Sequence, residues 1–178
     1  MEKYHKQEVS PVEEENERDE TFEADNPQID SERTKDNYHM SFNTLSYTEF
    51  INKRLNELGL RPRKDAVVMN SFVVGSDKTF FDGLSKIQRY SFFSDCTKFF
   101  EVRYGQENVM SAVVHLDETT PHMHLNLIPI TPDGRLCSKD LYFILSIKLP
   151  FYFSTIYFFT LYGFYISSPR CKYRCRDK

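Results

Sequence analysis

The stretch Val113-Val-His115-Leu-Asp-Glu118-Thr-Thr-Pro-His122-Met-His124-Leu-Asn-Leu127 concentrates three of the chain's five histidines and two carboxylates. Its apolar and β-branched flanks read as two strands, with Pro121 closing the polar turn between them. Side chains two apart on a strand point to the same face. His122 and His124 therefore project together, and Met123 faces the opposite layer. His115 ends the preceding strand, and the connection 116–121 can fold back to set it beside the pair. Three converging imidazoles make a metal site, and three protein ligands leave coordination positions open for chemistry. An all-imidazole set suits Mn, Zn, Co, Ni or Fe better than Mg, although a cation that also touches phosphate can be Mg. Glu118 or Asp117 could complete the shell or orient a ligand histidine through its ring N–H. A lone His-x-His pair arises by chance on exposed strand faces. The further histidine, the acidic turn and the apolar flanks argue against coincidence here.

Outward from this stretch, Val109–His115 and His122–Ile130 are expected strands, and Thr131-Pro-Asp-Gly134 is a turn signal. Ala66–Val74 is rich in β-branched residues and predicts a buried strand. Ser46 to Gly59 reads as a helix, with a Ser46/Glu49 capping box, apolar positions at 47, 50, 51, 55 and 58, and a glycine stop. A long helical stretch runs from about residue 77 to Tyr104, with a broad face of Phe and Leu. Residues 1–40 are polar and read as mostly extended or loop, with a short helix near 12–22. The fold class is α+β: an antiparallel sheet with packed helices.

Composition narrows the function classes. The chain has 178 residues, 40% hydrophobic and 28% charged, which excludes a wholly disordered protein. Four scattered cysteines do not make a disulfide scaffold, so a reducing compartment is expected. The N-terminus has no apolar core and does not read as a secretory signal. A net charge of -3 gives no prior for nucleic acid, so any such function must lie in local residues. The charge is uneven: residues 1–36 carry 13 acids against 5 bases, residues 37–140 are balanced, and the last 38 residues hold six bases and one acid.

After Lys139 the character changes. From Leu141 to Ile166, 11 of 26 residues are Phe or Tyr, and 149–166 carries no charge. The segment reads as a short membrane span, a shifted reading frame or buried core, and as an aggregation liability. Two domains are expected: 1–140, which holds the site, and the atypical aromatic, apolar tail 141–178. Cys96 reads as a small core residue, Cys137 has no activating neighbourhood, and Cys171-Lys-Tyr-Arg-Cys175 lacks the partner pair of a zinc knuckle.

The segment His115–Ile130, HLDETTPHMHLNLIPI, resembles the third motif of the Pre/Mob plasmid mobilization and recombination proteins, the V-type relaxases. These are endonucleases of the HUH type, named for His-hydrophobic-His, here His122-Met123-His124. Asn26 to Tyr38 is similar to the family's early motif. Arg63–Met69 followed by Gly75–Phe81 is similar to its central strand-to-helix passage. The resemblance covers roughly residues 3–140. It implies a relaxase-like fold and a protein that nicks one strand at a plasmid transfer or recombination site. The 5′ end is held covalently for later rejoining. By resemblance, His115, His122 and His124 are metal ligands, with Mn or Mg expected, and Glu118 supports them in catalysis. Tyr38 and Tyr104 match positions linked with DNA contact, through stacking. Arg18, Arg33, Arg61, Arg63 and Lys64 are the bases to test for phosphate contact. The implied partner is plasmid DNA, single-stranded near the nick. A homodimer is left open, no small-molecule cofactor is implied, and the location is cytoplasmic, or membrane-associated if 149–166 is a true span.

One departure matters. Aligning Asn16-Glu17-Arg18 with the family's early His-Asn-x-Arg motif puts Glu15 where the family has its nucleophilic histidine. Either Glu15 is the catalytic nucleophile, or a neighbour such as His39, Tyr38 or His5 serves, or this copy no longer cleaves. The alternative function is thus a non-cleaving DNA-binding recombination factor or a degenerate, truncated relaxase. A metal hydrolase using water as nucleophile is a further rival.

Overall fold

In the computed structural model the described residues are 1–18, 26–41 and 43–141, with the backbone of 165–167. In chain order the elements are β1 (Glu2–His5), α1 (Val9–Glu17), β2 (Tyr38–His39), α2 (Tyr47–Glu57), β3 (Val67–Gly75), α3 (Lys78–Asp82), α4 (Lys86–Tyr104), β4 (Val109–His115), β5 (His122–Leu127) and β6 (Tyr165–Ser167). All strand pairs are antiparallel, in the order β1-β3-β5-β4-β2, and β6 pairs with the end of β3 beyond β1. This is the α+β fold that the strand and helix patterns predict.

The sheet separates two layers by residue parity. Phe72, Val74, Ala112, Val114, Met123 and Leu125 pack under the phenylalanines of α3 and α4, including Phe81, Phe92, Phe93 and Phe100. Beneath the opposite face, Val9 of α1 and Tyr47, Ile51 and Leu55 of α2 cluster with Met69 and Met110. The histidine-bearing end of β4 and β5 belongs to this second face, so α1 sits beside it.

Local chemistry explains the boundaries. Ser46 Oγ accepts the Glu49 N–H at 3.2 Å, and Glu49 returns a bond to the Ser46 N–H at 2.9 Å, which starts α2 where the capping box places it. Gly59, at φ 63°, follows its end. The single helix expected from 77 to 104 is two. Asp77 caps α3, Gly83 ends it, and a second capping box from Ser85 and Gln88 starts α4. A glycine followed by a strong N-cap ends one helix and starts another.

The N-terminal expectation needs the larger correction. Residues 2–5 and 38–39, expected only as extended or loop, are edge strands, and the first helix is Val9–Glu17, not 12–22. Pro11 lies in that helix's first turn, where its missing N–H costs nothing, so it does not break the helix. Arg18 ends α1 in the left-handed region at φ 52°. β5 stops at Leu127, ahead of Pro129, and only an isolated bridge from Ile130 to Leu136 continues it.

Leu141 is buried in the α4-side core, one residue past the expected boundary at 140. Residues 165–167, at the end of the run read as a short membrane span, a shifted reading frame or buried core, pair with β3. The rest of the tail, with Cys171 and Cys175, lies outside the described residues. Among the described residues no helix is long and apolar enough to cross a membrane. Cys96 is buried in the core, and burial pushes its thiol up to about 12.

Candidate metal centre

Register builds the site. His115, the last residue of β4, lies opposite His122, the first of β5, and Val113 lies opposite His124. Opposed and alternate residues share a face, so the three rings meet at one end of the strand pair. Gly75 of β3 sits opposite His122, and a Cβ there would come within 3.3 Å of the histidine's own Cβ.

The ring centroids are separated by 5.3 Å (115–122), 4.8 Å (115–124) and 5.0 Å (122–124). A metal–nitrogen bond of about 2.1 Å sets each centroid ~3.2 Å from a shared ion, and bond angles of about 90–109° then separate centroids by ~4.5–5.2 Å. The observed triangle falls in or beside that range, and one donor atom from each ring lies within 4.8 Å of the others. The residues present fit a cation.

The ring protons can be placed from their partners. A carbonyl oxygen only accepts, so the Thr120 oxygen at 2.9 Å takes the His122 Nδ1 proton and leaves the lone pair on Nε2. By the same logic His115 Nε2 donates to the Asn16 carbonyl at 2.7 Å, and its Nδ1 accepts from Arg18 Nη2 at 3.1 Å. Burial, then the Arg18 charge, lower the pKa of His115 to about 4. Burial, then the neighbouring histidines, hold His124 well below the ordinary range. Both rings are neutral at pH 7, the form a metal requires.

Two carboxylates follow His115. Asp117 is fully buried and accepts from Arg18 Nε at 3.2 Å, Thr34 Oγ1 at 3.1 Å and Asn37 Nδ2 at 2.9 Å. Burial pushes its carboxyl up, but the Asn37 and Arg18 hydrogen bonds and the nearby positive charge outweigh it and hold it low. Asp117 therefore anchors the turn. Glu118 faces the rings: its Oε1 is 2.9 Å from Arg18 Nη2 and 3.7 Å from His122 Nε2.

The other expected site residues scatter. Glu15 is exposed on α1, next to the Asn16 carbonyl that holds His115, and its own carbonyl accepts from Arg18 Nη1 at 2.6 Å. Arg18, expected as a phosphate contact, is instead sunk among Asp117, Glu118 and His115, with 5% of its side chain exposed. Arg33 donates to the Leu116 carbonyl and latches the acidic turn. Tyr38 is half-buried at the sheet edge. Tyr104, expected at the DNA, packs against Phe72 and Phe100 in the core with no ring face left for a base. Arg61, Arg63 and Lys64 precede β3, at the opposite end from Gly75 and His122, about 25 Å away at ~3.3 Å per residue. His5 pairs with Val67 at that same far end, which removes it as a nucleophile. His39 lies nearer, with Nε2 3.4 Å from Glu17 Oε2.

Sequence reasoning missed a polar row that continues the histidines. Asn126, two residues after His124, donates to Ser111 Oγ at 2.9 Å; Ser111 donates to Tyr47 Oη at 2.7 Å, which donates to Glu17 Oε1 at 2.7 Å. The signal was available in the alternation His-x-His-x-Asn.

Fold and site together define a domain of the relaxase type. The MobM relaxase domain (MOBV; Mob_Pre), solved Mn-bound with plasmid pMV158 oriT DNA at pH 6.8, matches with a TM-score of 0.76 at 28% identity, over 100% of this chain and 92% of that one. A second Mn-bound complex of that domain, at pH 5.5, matches at 0.74. The plasmid recombination enzyme family model (Mob_Pre) matches residues 1–143. A plasmid recombination enzyme of Bacillus sp is 40% identical over 121 residues, 66% of this chain and 29% of that protein. The corresponding enzyme of Bacillus thuringiensis is 32% identical over 144 residues, 80% of this chain and 32% of that protein. The chain belongs to the plasmid recombination enzyme (Mob_Pre) family. It spans about a third of the length of these curated relatives.

Proposed function

We propose that residues 1–141 form the DNA-nicking domain of a plasmid mobilization and recombination relaxase, acting in the cytoplasm on one strand of a plasmid transfer or recombination site. The observation that carries this is the three-imidazole triangle, spaced for one shared ion and flanked by a carboxylate. His115, His122 and His124 would hold a divalent metal, with Mn or Mg preferred because the substrate is a phosphodiester. Such an ion supplies Lewis-acid polarisation of the scissile phosphate.

The chain's residues supply the rest. The Asn16 and Thr120 carbonyls fix the tautomers of two ligand rings. Glu118 lies where it can orient His122 or an incoming group. Glu15 is the proposed nucleophile: a carboxylate oxygen attacks phosphorus, an acyl phosphate forms to the 5′ end, and the 3′ oxygen leaves and takes a proton. The bond energy is kept for rejoining. A transfer-origin oligonucleotide incubated with the protein and Mn should yield a shortened strand and an equimolar protein–DNA adduct. Both should be lost in His122→Ala, and the adduct lost in Glu15→Gln. Strand binding with no adduct would replace this with the second reading, a non-cleaving recombination factor, in which the glutamate at position 15 marks a lost nucleophile.

A further inference from the structure

A surface outside the metal centre carries features that neither the core nor the chemistry uses. Tyr90, on the second turn of α4, is 56% exposed, and Ile87, one turn earlier, is 82% exposed. Residues three apart share a helix face, so the two form an apolar ridge toward solvent. The Tyr90 ring rests on Tyr38, with centroids 5.9 Å apart and planes at 29°. Tyr38 in turn sits on β2, the outermost strand, opposite Val114, whose chain neighbour His115 points to the other face of the sheet. Its hydroxyl is buried without a hydrogen-bond partner.

Charge identifies the occupant. Residues 86–94 of α4 include Lys86 and Arg89 and no acid. Arg89 makes no ion pair among the described residues, and its Nε is buried without a partner. Its charge reaches the Tyr38 hydroxyl, which burial holds up at about 12 against the downward pull of Arg89. A cation left without a carboxylate, beside stacked and exposed aromatic rings, is the chemistry that takes one phosphate and one unpaired base. A duplex hides its base faces and would not use the platform. Tyr38, opposite Val114, faces the α4 layer while the histidines face the α1 layer, so a strand from the metal centre reaches Tyr38 by crossing the two-residue β2 at the sheet's edge.

We infer that Tyr90, stacked on Tyr38 and flanked by Arg89, is a subsite for one unpaired nucleotide around the β2 edge from the metal centre, with the base on Tyr90 and its phosphate on Arg89. The inference rests on the single-strand reading of the preceding subsection and names where that strand runs.

The test uses two fluorescein-labelled strands of about twenty units, longer than the ~4–16 nucleotides a single-strand site covers: oligothymidylate, and an abasic strand with the same number of phosphates. Binding is followed by anisotropy with the full chain. Tyr90→Ala should weaken oligothymidylate binding by about five- to hundredfold. Tyr90→Phe should keep wild-type affinity, and neither variant should change binding to the abasic strand. Arg89→Gln should weaken both strands and reduce the salt slope by about 0.7. Because Tyr90 is solvent-exposed, its loss leaves the core intact. Wild-type affinity of Tyr90→Ala for oligothymidylate, or an equal loss on the abasic strand, would overturn the subsite while leaving the relaxase reading standing. A wild-type chain that binds neither strand would instead count against the relaxase reading itself.

Discussion

Acid should destabilise the metal-free protein in a way traceable to one ring. His115 is buried, donates from Nε2 to the Asn16 carbonyl and accepts from Arg18 at Nδ1, and its pKa falls from 6.5 to about 4. The native state therefore binds the proton less well than the unfolded chain. Stability from this group is present above pH 6.5 and is lost as the pH falls toward 4, because only the unfolded state gains the proton in that window. From pH 7 to pH 5 the two-state linkage gives about 2 kcal/mol for His115 alone, at ~1.4 kcal/mol per pKa unit. His124 shifts in the same direction and adds to it. In a domain of this size about 2 kcal/mol corresponds to a melting-point drop of roughly 4–8 °C. The assay is urea unfolding in chelator at both pH values, for wild type and His115→Gln, whose amide can still donate to Asn16. The variant should lose about 2 kcal/mol less than wild type across the interval. Parallel losses would show that His115 is not held neutral by its surroundings, and the proton placement at the metal centre would fall with that.

Three further outcomes follow from the same contacts. His122→Ala should lower Mn affinity at least ~100-fold by calorimetry and leave the metal-free melting point nearly unchanged, since its side chain is partly exposed; unchanged affinity would remove it from the ligand set. Arg18→Met should bind Mn about tenfold more tightly or better, because the guanidinium now holds the lone pair of His115 through a bond worth ~1.5–3 kcal/mol; weaker binding would make Arg18 a supporter of the ion and not its competitor. Asp117→Ala should cost about 3–5 kcal/mol in urea unfolding, since it strands Arg18 and uncaps the turn held by Thr34 and Asn37; a loss under ~1 kcal/mol would mean the turn is held elsewhere.

The chain itself announced what depends on neighbours in sequence. His122-Met-His124 shares a strand face because strand period is two, and the Ser46/Glu49 box starts a helix because both partners lie within one turn. The acidic turn after His115 could also be read directly. The edge strands Glu2–His5 and Tyr38–His39 could not, since a short polar segment becomes a strand only when a partner edge is offered. Tertiary packing alone decided that Arg18 crosses 97 positions to reach His115, that Tyr104 is core while Tyr38 meets the surface, and that Arg61, Arg63, Lys64 and His5 lie at the wrong end of the sheet. Periodicity and capping are set by covalent spacing along the backbone. Burial, strand register and the pairing of distant charges depend on which surfaces the folded chain brings together.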